Sequence, residues 1–102
     1  MTDTTPQAYR LRLYVAGDTG TARLARNALE RLGRCSGLAG CLETEVLDVV
    51  ADPAKAEQAR IIATPLLVRE HPGPPRSIVG DLSDLSRVVR ALELPCDPEE
   101  VA

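Results

Sequence analysis

Only a few side chains in this sequence could act as nucleophiles or hold a metal. Three cysteines stand at positions 35, 41 and 96, and no two of them show the two-residue spacing of redox and zinc motifs. An odd set at such spacing reads as free thiols in a reducing cytosol. Cys35 and Cys41, which flank Ser36-Gly37-Leu38-Ala39-Gly40, are the pair that an oxidant would join. The single imidazole, His71, sits in Glu70-His71-Pro72 with no cysteine or second histidine nearby, so it reads as a solvated turn residue. Asp48 and Asp52 are close enough for a carboxylate pair, but Asp52 precedes Pro53 as a helix cap does, and Asp48 reads as a strand-end charge. Gly17 and Gly20 suggest a phosphate loop only superficially, because no lysine follows at Walker spacing and no third glycine completes a dinucleotide fingerprint. The expectation is no catalytic residue, no cofactor and no metal.

The elements that carry these residues are read from hydrophobic period. Tyr9 to Val15 alternates basic or aromatic residues with aliphatic ones, the period-two pattern of a strand. Thr19 or Thr21 can cap a helix in which Ala22, Ala25, Ala28, Leu29 and Leu32 form one apolar stripe, ended by Gly33. Cys35 to Cys41 is a loop. Leu42 to Val50 is a second strand whose apolar end suggests burial on both faces. Asp52-Pro53 opens an alanine-rich helix to about Arg60, with a weak stripe of Ala56, Ala59, Ile61 and Ile62. Thr64-Pro65 opens a strand through Arg69, Pro72-Gly73-Pro74-Pro75 turns the chain, and Arg76 to Val79 completes a hairpin. Asp81 is expected to cap the last helix, with Leu82, Leu85, Val88, Val89 and Leu92 at helical spacing and Asp84 complementing its dipole.

This order, βαβαββα, predicts an α/β fold of the thioredoxin-like three-layer type: a parallel pair, an added hairpin and helices on both faces. In that architecture the attacking thiolate belongs at the start of the first helix, where the dipole lowers its pKa. Asp18-Thr19-Gly20-Thr21 holds no cysteine, so disulfide exchange lacks its nucleophile. Thr64-Pro65 falls where such folds place a cis-proline, although a trans proline opening a strand fits the residues equally.

Bulk properties narrow the partners. At 102 residues, 44% hydrophobic and 26% charged, the chain has room for one core, read as a leader over 1–8, one domain over 9–94 and an acidic tail over 95–102. Tyr9 and Tyr14 are its only aromatics, which leaves a lean core that self-association would supplement. A net charge of −3 without a basic cluster or stacking platform argues against nucleic acid. Apolar runs far below spanning length and a polar start argue against a membrane and for the cytoplasm.

Four collinear segments carry a resemblance: Leu13-Tyr14-Val15-Ala16-Gly17, Val46-Leu47-Asp48-Val49, Ala63-Thr64-Pro65 and Ile78-Val79-Gly80-Asp81-Leu82-Ser83-Asp84. They resemble the KaiB signature in order and nearly in spacing. The resemblance implies a non-enzymatic clock protein that binds the N-terminal ring of a KaiC-like hexameric ATPase and modulates its phosphorylation cycle or output. It implies two folds as well: a ground state, dimeric or tetrameric, with a rearranged C-terminal half, and a thioredoxin-like monomer that binds. Thr64, Pro65, Gly80, Asp81 and Ala91 are then the residues tied to the fold or its switch, and Arg60 and Arg76 the partner contacts, since arginines pair bidentately with acidic partners. Ala91 stands where relatives can carry glycine, which predicts a readily reached thioredoxin-like state. Asp18, Gly20, the loop from Gly33 to Gly40, and Glu43 and Glu45 depart from the family pattern. Two other readings remain: a KaiB-like adaptor in signalling or stress response without a clock role, and a divergent oxidoreductase using Cys35 and Cys41.

Overall fold

The computed structural model describes residues 8–61 and 63–101. Most of the leader, and Ile62 of the weak stripe, lie outside them. Its elements run β1 (Tyr9–Val15), α1 (Gly20–Leu32), β2 (Leu42–Asp48), α2 (Pro53–Gln58), β3 (Leu66–His71), β4 (Arg76–Val79), α3 (Leu85–Leu92) and α4 (Pro98–Val101). The sheet order is β2-β1-β3-β4, with β1 and β2 parallel and the other two pairings antiparallel. The expected βαβαββα order is therefore present, followed by one further helical turn.

Alternation along β1 decides what each sheet face meets. Leu11, Leu13 and Val15 are fully buried and join one core with Leu67 and Ile78 of the sheet, Ala22, Ala25, Ala28, Leu29 and Leu32 of α1, and Leu85, Val88, Val89 and Leu92 of α3. All five residues of the predicted α1 stripe are buried. Arg10, Arg12 and Tyr14 point to the opposite face, where α2 lies with no buried residue of its own. The sheet is thus well covered on one side and thinly on the other.

Local capping follows side-chain chemistry. The Thr19 hydroxyl accepts from the Ala22 N–H at 3.1 Å, and Asp52 accepts from Lys55 N–H at 3.3 Å with Pro53 opening the helix. The cap of α3 differs from expectation. It is Asp84, accepting from Arg87 N–H at 3.2 Å, while Asp81 closes a tight turn by accepting from Ser83 N–H at 2.9 Å. Two aspartates three residues apart both fit a cap by sequence. The buried Leu82 is held by the loop, before the helix begins.

β2 also differs. It stops at Asp48, and Val46 and Val50 are exposed, the latter at 69%. An edge strand has a neighbour on one side only, so the apolar run Val46 to Val50 does not mark a strand buried on both faces. β3 begins one residue after Pro65 and reaches His71, which is exposed. The Thr64–Pro65 bond is cis, as are His71–Pro72 and Gly73–Pro74.

The cysteines require the largest correction. Cys35 is bonded to Cys96, and the free thiol is Cys41, whose Sγ lies 3.5 Å from the carbonyls of Gly37 and Leu38. Neither free thiols throughout nor a Cys35–Cys41 pair holds. The partner lies 61 residues away in sequence, where spacing gives no signal.

Candidate functional site

The thinly covered sheet face is organised by charge. In register across β1 and β2, Arg10 faces Glu43 and Arg12 faces Glu45. Arg10 meets Glu43 at 3.2 Å, and Arg12 bridges Glu45 at 3.3 Å and Glu70 of β3 at 3.2 Å. Glu43 and Glu45 are matched by arginines on the neighbouring strand. The Arg12 pKa is raised above its ordinary value, first by the hydrogen bond to the Tyr14 hydroxyl and then, against burial, by Glu70 and Glu45. Partly exposed pairs of this kind are worth about 0–1 kcal/mol each, so the row orients side chains more than it stabilises the sheet.

Two grooves flank α2 over this face and share Arg12, Tyr14 and Ala59. One, of about 360 Å³, runs along β2 past Leu47 and Lys55. The other, of about 480 Å³, has half-buried Leu66 and Val68 on its floor and carries Arg60 and Arg76 on its walls. The two arginines expected from sequence to meet a partner therefore border one groove. Their states differ. Arg76 is ion-paired with Glu93, whereas among the described residues Arg60 pairs with no carboxylate.

Arg60 is presented by an unusual backbone. It has φ +57°, just past the end of α2; its N–H bonds to the Glu57 carbonyl and the Ile61 N–H to the Ala56 carbonyl, both at 3.0 Å. These two bonds make a Schellman closure, in which the left-handed position is usually glycine. An arginine there directs its side chain away from the helix axis at the groove wall.

The remaining sequence-selected residues sit elsewhere. Thr64 and the buried Pro65 border a cleft of about 230 Å³ with Thr19 and Thr21 at the start of α1. Gly80 adopts φ +98°, which a side chain would strain, and its N–H bonds to the Pro65 carbonyl at 3.0 Å. Asp81 lies in the turn just described, and Ala91 packs partly buried against the core from α3. No thiol lies at the Pro65 cleft. α1 is 13 residues long, about 20 Å at the usual rise, and Cys35 follows its far end.

Sequence reasoning missed several positioning residues. Asp48 accepts from Gly17 and Val50 N–H, each at 2.9 Å, and from Ala51 at 3.4 Å, tying the ends of β1 and β2 together. Those bonds, Gly17 first, lower its pKa. Arg12 and Tyr14 could have been selected from their place in the β1 alternation, opposite the apolar face. Among the described residues no cluster of metal-ligating side chains occurs, and no helix is long and apolar enough to cross a membrane.

The sequence model of the family described as the KaiB domain matches residues 12–94. The chain belongs to the KaiB family. The circadian clock oscillator protein KaiB of Prochlorococcus marinus strain NATL2A is 41% identical over 91 residues, which cover 89% of this chain and 84% of that protein. Solved structures agree on a thioredoxin-like fold. The N-terminal domain of SasA from Synechococcus elongatus superposes with a TM-score of 0.67 at 17% identity, covering 88% of this chain and 84% of that one. The germline-specific thioredoxin Deadhead of Drosophila melanogaster gives 0.65 at 16% identity, covering 84% and 82%. At such identities the likeness is one of fold. A KaiB-family sequence thus adopts a thioredoxin-like sheet without a thiol at the thioredoxin position.

Proposed function

We propose that this chain is a clock-type regulatory protein, without catalytic activity of its own, that docks on a KaiC-like hexameric ATPase and modulates its phosphorylation cycle or output. The docking face is the α2 side of the sheet. The observation that carries this reading is Arg60: an exposed cation with no carboxylate partner among the described residues, on the wall of a groove with an apolar floor. Such a groove accepts an aliphatic side chain beside an acidic one, and a bidentate guanidinium–carboxylate pair would supply direction. Arg76 contributes once a partner carboxylate takes the place of Glu93. Arg12, already shared by Glu45 and Glu70, holds the floor in position.

The thin cover on this face also bears on the second fold implied by the family resemblance. α2 buries no residue and closes on a strained position, so the segment from Pro53 to Thr64 has little to lose on repacking. In this reading a cytoplasmic dimer or tetramer with a rearranged C-terminal half exchanges with the thioredoxin-like monomer, and the partner selects the monomer.

The test is size-exclusion chromatography with light scattering, on the chain alone and with a KaiC-like ATPase of the same organism under ATP. A co-eluting complex that Arg60→Glu abolishes supports the reading. Unchanged binding by Arg60→Glu removes the groove as the docking face, and a stable monomer that forms no complex transfers the function to an adaptor role outside a clock.

A further inference from the structure

The Cys35–Cys96 bond is one part of a contact between the α1–β2 loop and the segment that follows α3. The two Cα atoms are 5.9 Å apart, within the usual spacing for a disulfide. Beside the bond, the Ser36 N–H donates to the Glu100 carboxylate at 3.0 Å and its hydroxyl to the same carboxylate at 3.1 and 3.3 Å. Val101 of α4 is buried against the core. A side chain on Gly37 would place its Cβ 1.4 Å from the Pro95 carbonyl oxygen, so the two backbones touch where only glycine fits.

Apart from the disulfide this contact is slight. α4 is a single turn of four residues, and the Ser36–Glu100 hydrogen bonds are exposed to solvent. A groove of about 240 Å³, walled by Arg31, Arg34, Leu85, Glu100 and Val101, reaches Cys35 from the surface. The cysteines themselves are buried, at 3% and 7% exposure, so this groove is the approach for a small thiol. Arg34 meets Glu30 at 2.9 Å, and Arg31 stands on the same wall.

We propose that Cys35 and Cys96 form a redox-operated clasp: oxidised, it fastens residues 95–101 onto the α1–β2 loop; reduced by a cellular dithiol, it releases them. One thiolate of the dithiol attacks Cys35 Sγ through the groove that reaches it, the S–S bond breaks, and Cys96 departs as a thiolate that takes up a proton. The second thiol of the dithiol then resolves the mixed disulfide. Two electrons and two protons pass to the protein, which holds two thiols, and the dithiol becomes a disulfide. Exchange with oxidised glutathione runs the reaction back and yields two molecules of reduced glutathione. Release removes Glu100 and Val101 from the groove they share with Arg31 and Arg34 and uncovers Leu85. The clasp is independent of the Arg60 groove, so neither proposal depends on the other.

The experiment is hydrogen exchange followed by mass spectrometry on the whole chain, equilibrated with oxidised glutathione or with dithiothreitol. Reduction is expected to speed amide exchange over 97–101 by about tenfold or more while β1 exchanges as before, and reoxidation is expected to restore protection. Alkylation after denaturation should label Cys41 alone in the oxidised chain and all three cysteines in the reduced one. Cys96→Ser should exchange fast in both conditions, and Cys41→Ser should respond like the natural chain. If Cys96→Ser does not fold, the dithiothreitol comparison on the natural chain decides. Three labelled cysteines in the oxidised chain, equal exchange in both states, or a bond that dithiothreitol opens only on unfolding would overturn the proposal.

Discussion

The guanidinium of Arg69 donates to the Leu92 carbonyl at 2.9 Å, from a side chain 6% exposed on the core face of β3. It also reaches the Glu93 carbonyl at 3.3 Å and the Pro74 carbonyl at 3.1 Å, joining the end of α3 to the β3–β4 turn. Carbonyls at a helix C-terminus have no partner within the helix and carry the negative end of its dipole, so they suit a buried cation.

Replacing Arg69 by Leu leaves three carbonyls without a donor, and we expect a loss of about 2–4 kcal/mol in urea unfolding. Arg69→Lys should recover only part of it, because an ammonium lacks the planar fork that spans both sites. Equal stability of Arg69→Leu and the natural chain would show that water takes over those carbonyls.

Asp84, and not Asp81, caps α3, and paired alanine variants measure that. Asp84→Ala should lower the melting temperature by several degrees and reduce helicity, since the N-cap bond to Arg87 is lost. Asp81→Ala loses only a turn bond to Ser83 and should shift it less. The reverse order would return the cap to Asp81.

Acid should weaken the fold through three aspartates. The Asp48 pKa is lowered first by the Gly17 N–H, that of Asp81 first by the Ser83 N–H, and that of Asp84 first by the Ser86 hydroxyl. A depressed folded pKa contributes stability that is complete above the unfolded value of about 3.9 and is lost as the pH falls through the folded one. Thermal unfolding from neutral pH downward should therefore be level until about pH 4 and then fall. Asp48→Asn keeps an oxygen for Gly17 but cannot titrate, so its acid limb should be shallower; an identical limb would exclude Asp48.

Arg60 separates backbone strain from recognition. Glycine suits φ +57°, so Arg60→Gly should retain or gain stability, by about 0.5–1 kcal/mol, while losing the proposed partner binding. Chemical denaturation and a pull-down on the same preparation report the two effects. Loss of fold along with binding would make Arg60 structural.

Ala91 tests the balance between folds. Ala91→Gly should cost α3 about 1 kcal/mol and raise the share of oligomer seen by light scattering. A destabilised chain that stays monomeric would leave the helix effect and remove the switch.

Much of the fold was legible from short-range patterning. The α1 stripe of Ala22, Ala25, Ala28, Leu29 and Leu32 is buried residue for residue, and Thr19, Asp52 and Pro53 act where their local chemistry places them. Period and capping depend on neighbours three or four residues away, which sequence displays directly. Of the site, the sequence pointed to Arg60 and Arg76, which border one groove. Arg12 and Tyr14, on the face of β1 opposite its aliphatic residues, were not selected, because alternation tells which face a residue takes and not what covers it.

Tertiary structure decided what depends on partners distant in the chain. The sheet order β2-β1-β3-β4 put Val46 on an edge strand that ends at Asp48, before Val49 and Val50, and the β1–β2 register set Glu43 and Glu45 against Arg10 and Arg12. Arg69, in a strand that reads as half polar, is buried because the end of α3 offers its carbonyls there. Cys35 found Cys96 across 61 residues because α3 and the chain after it return to the end of α1. Periodicity fixes which face of an element is apolar; which element covers it, and which charges and thiols then meet, is set only when the whole chain packs.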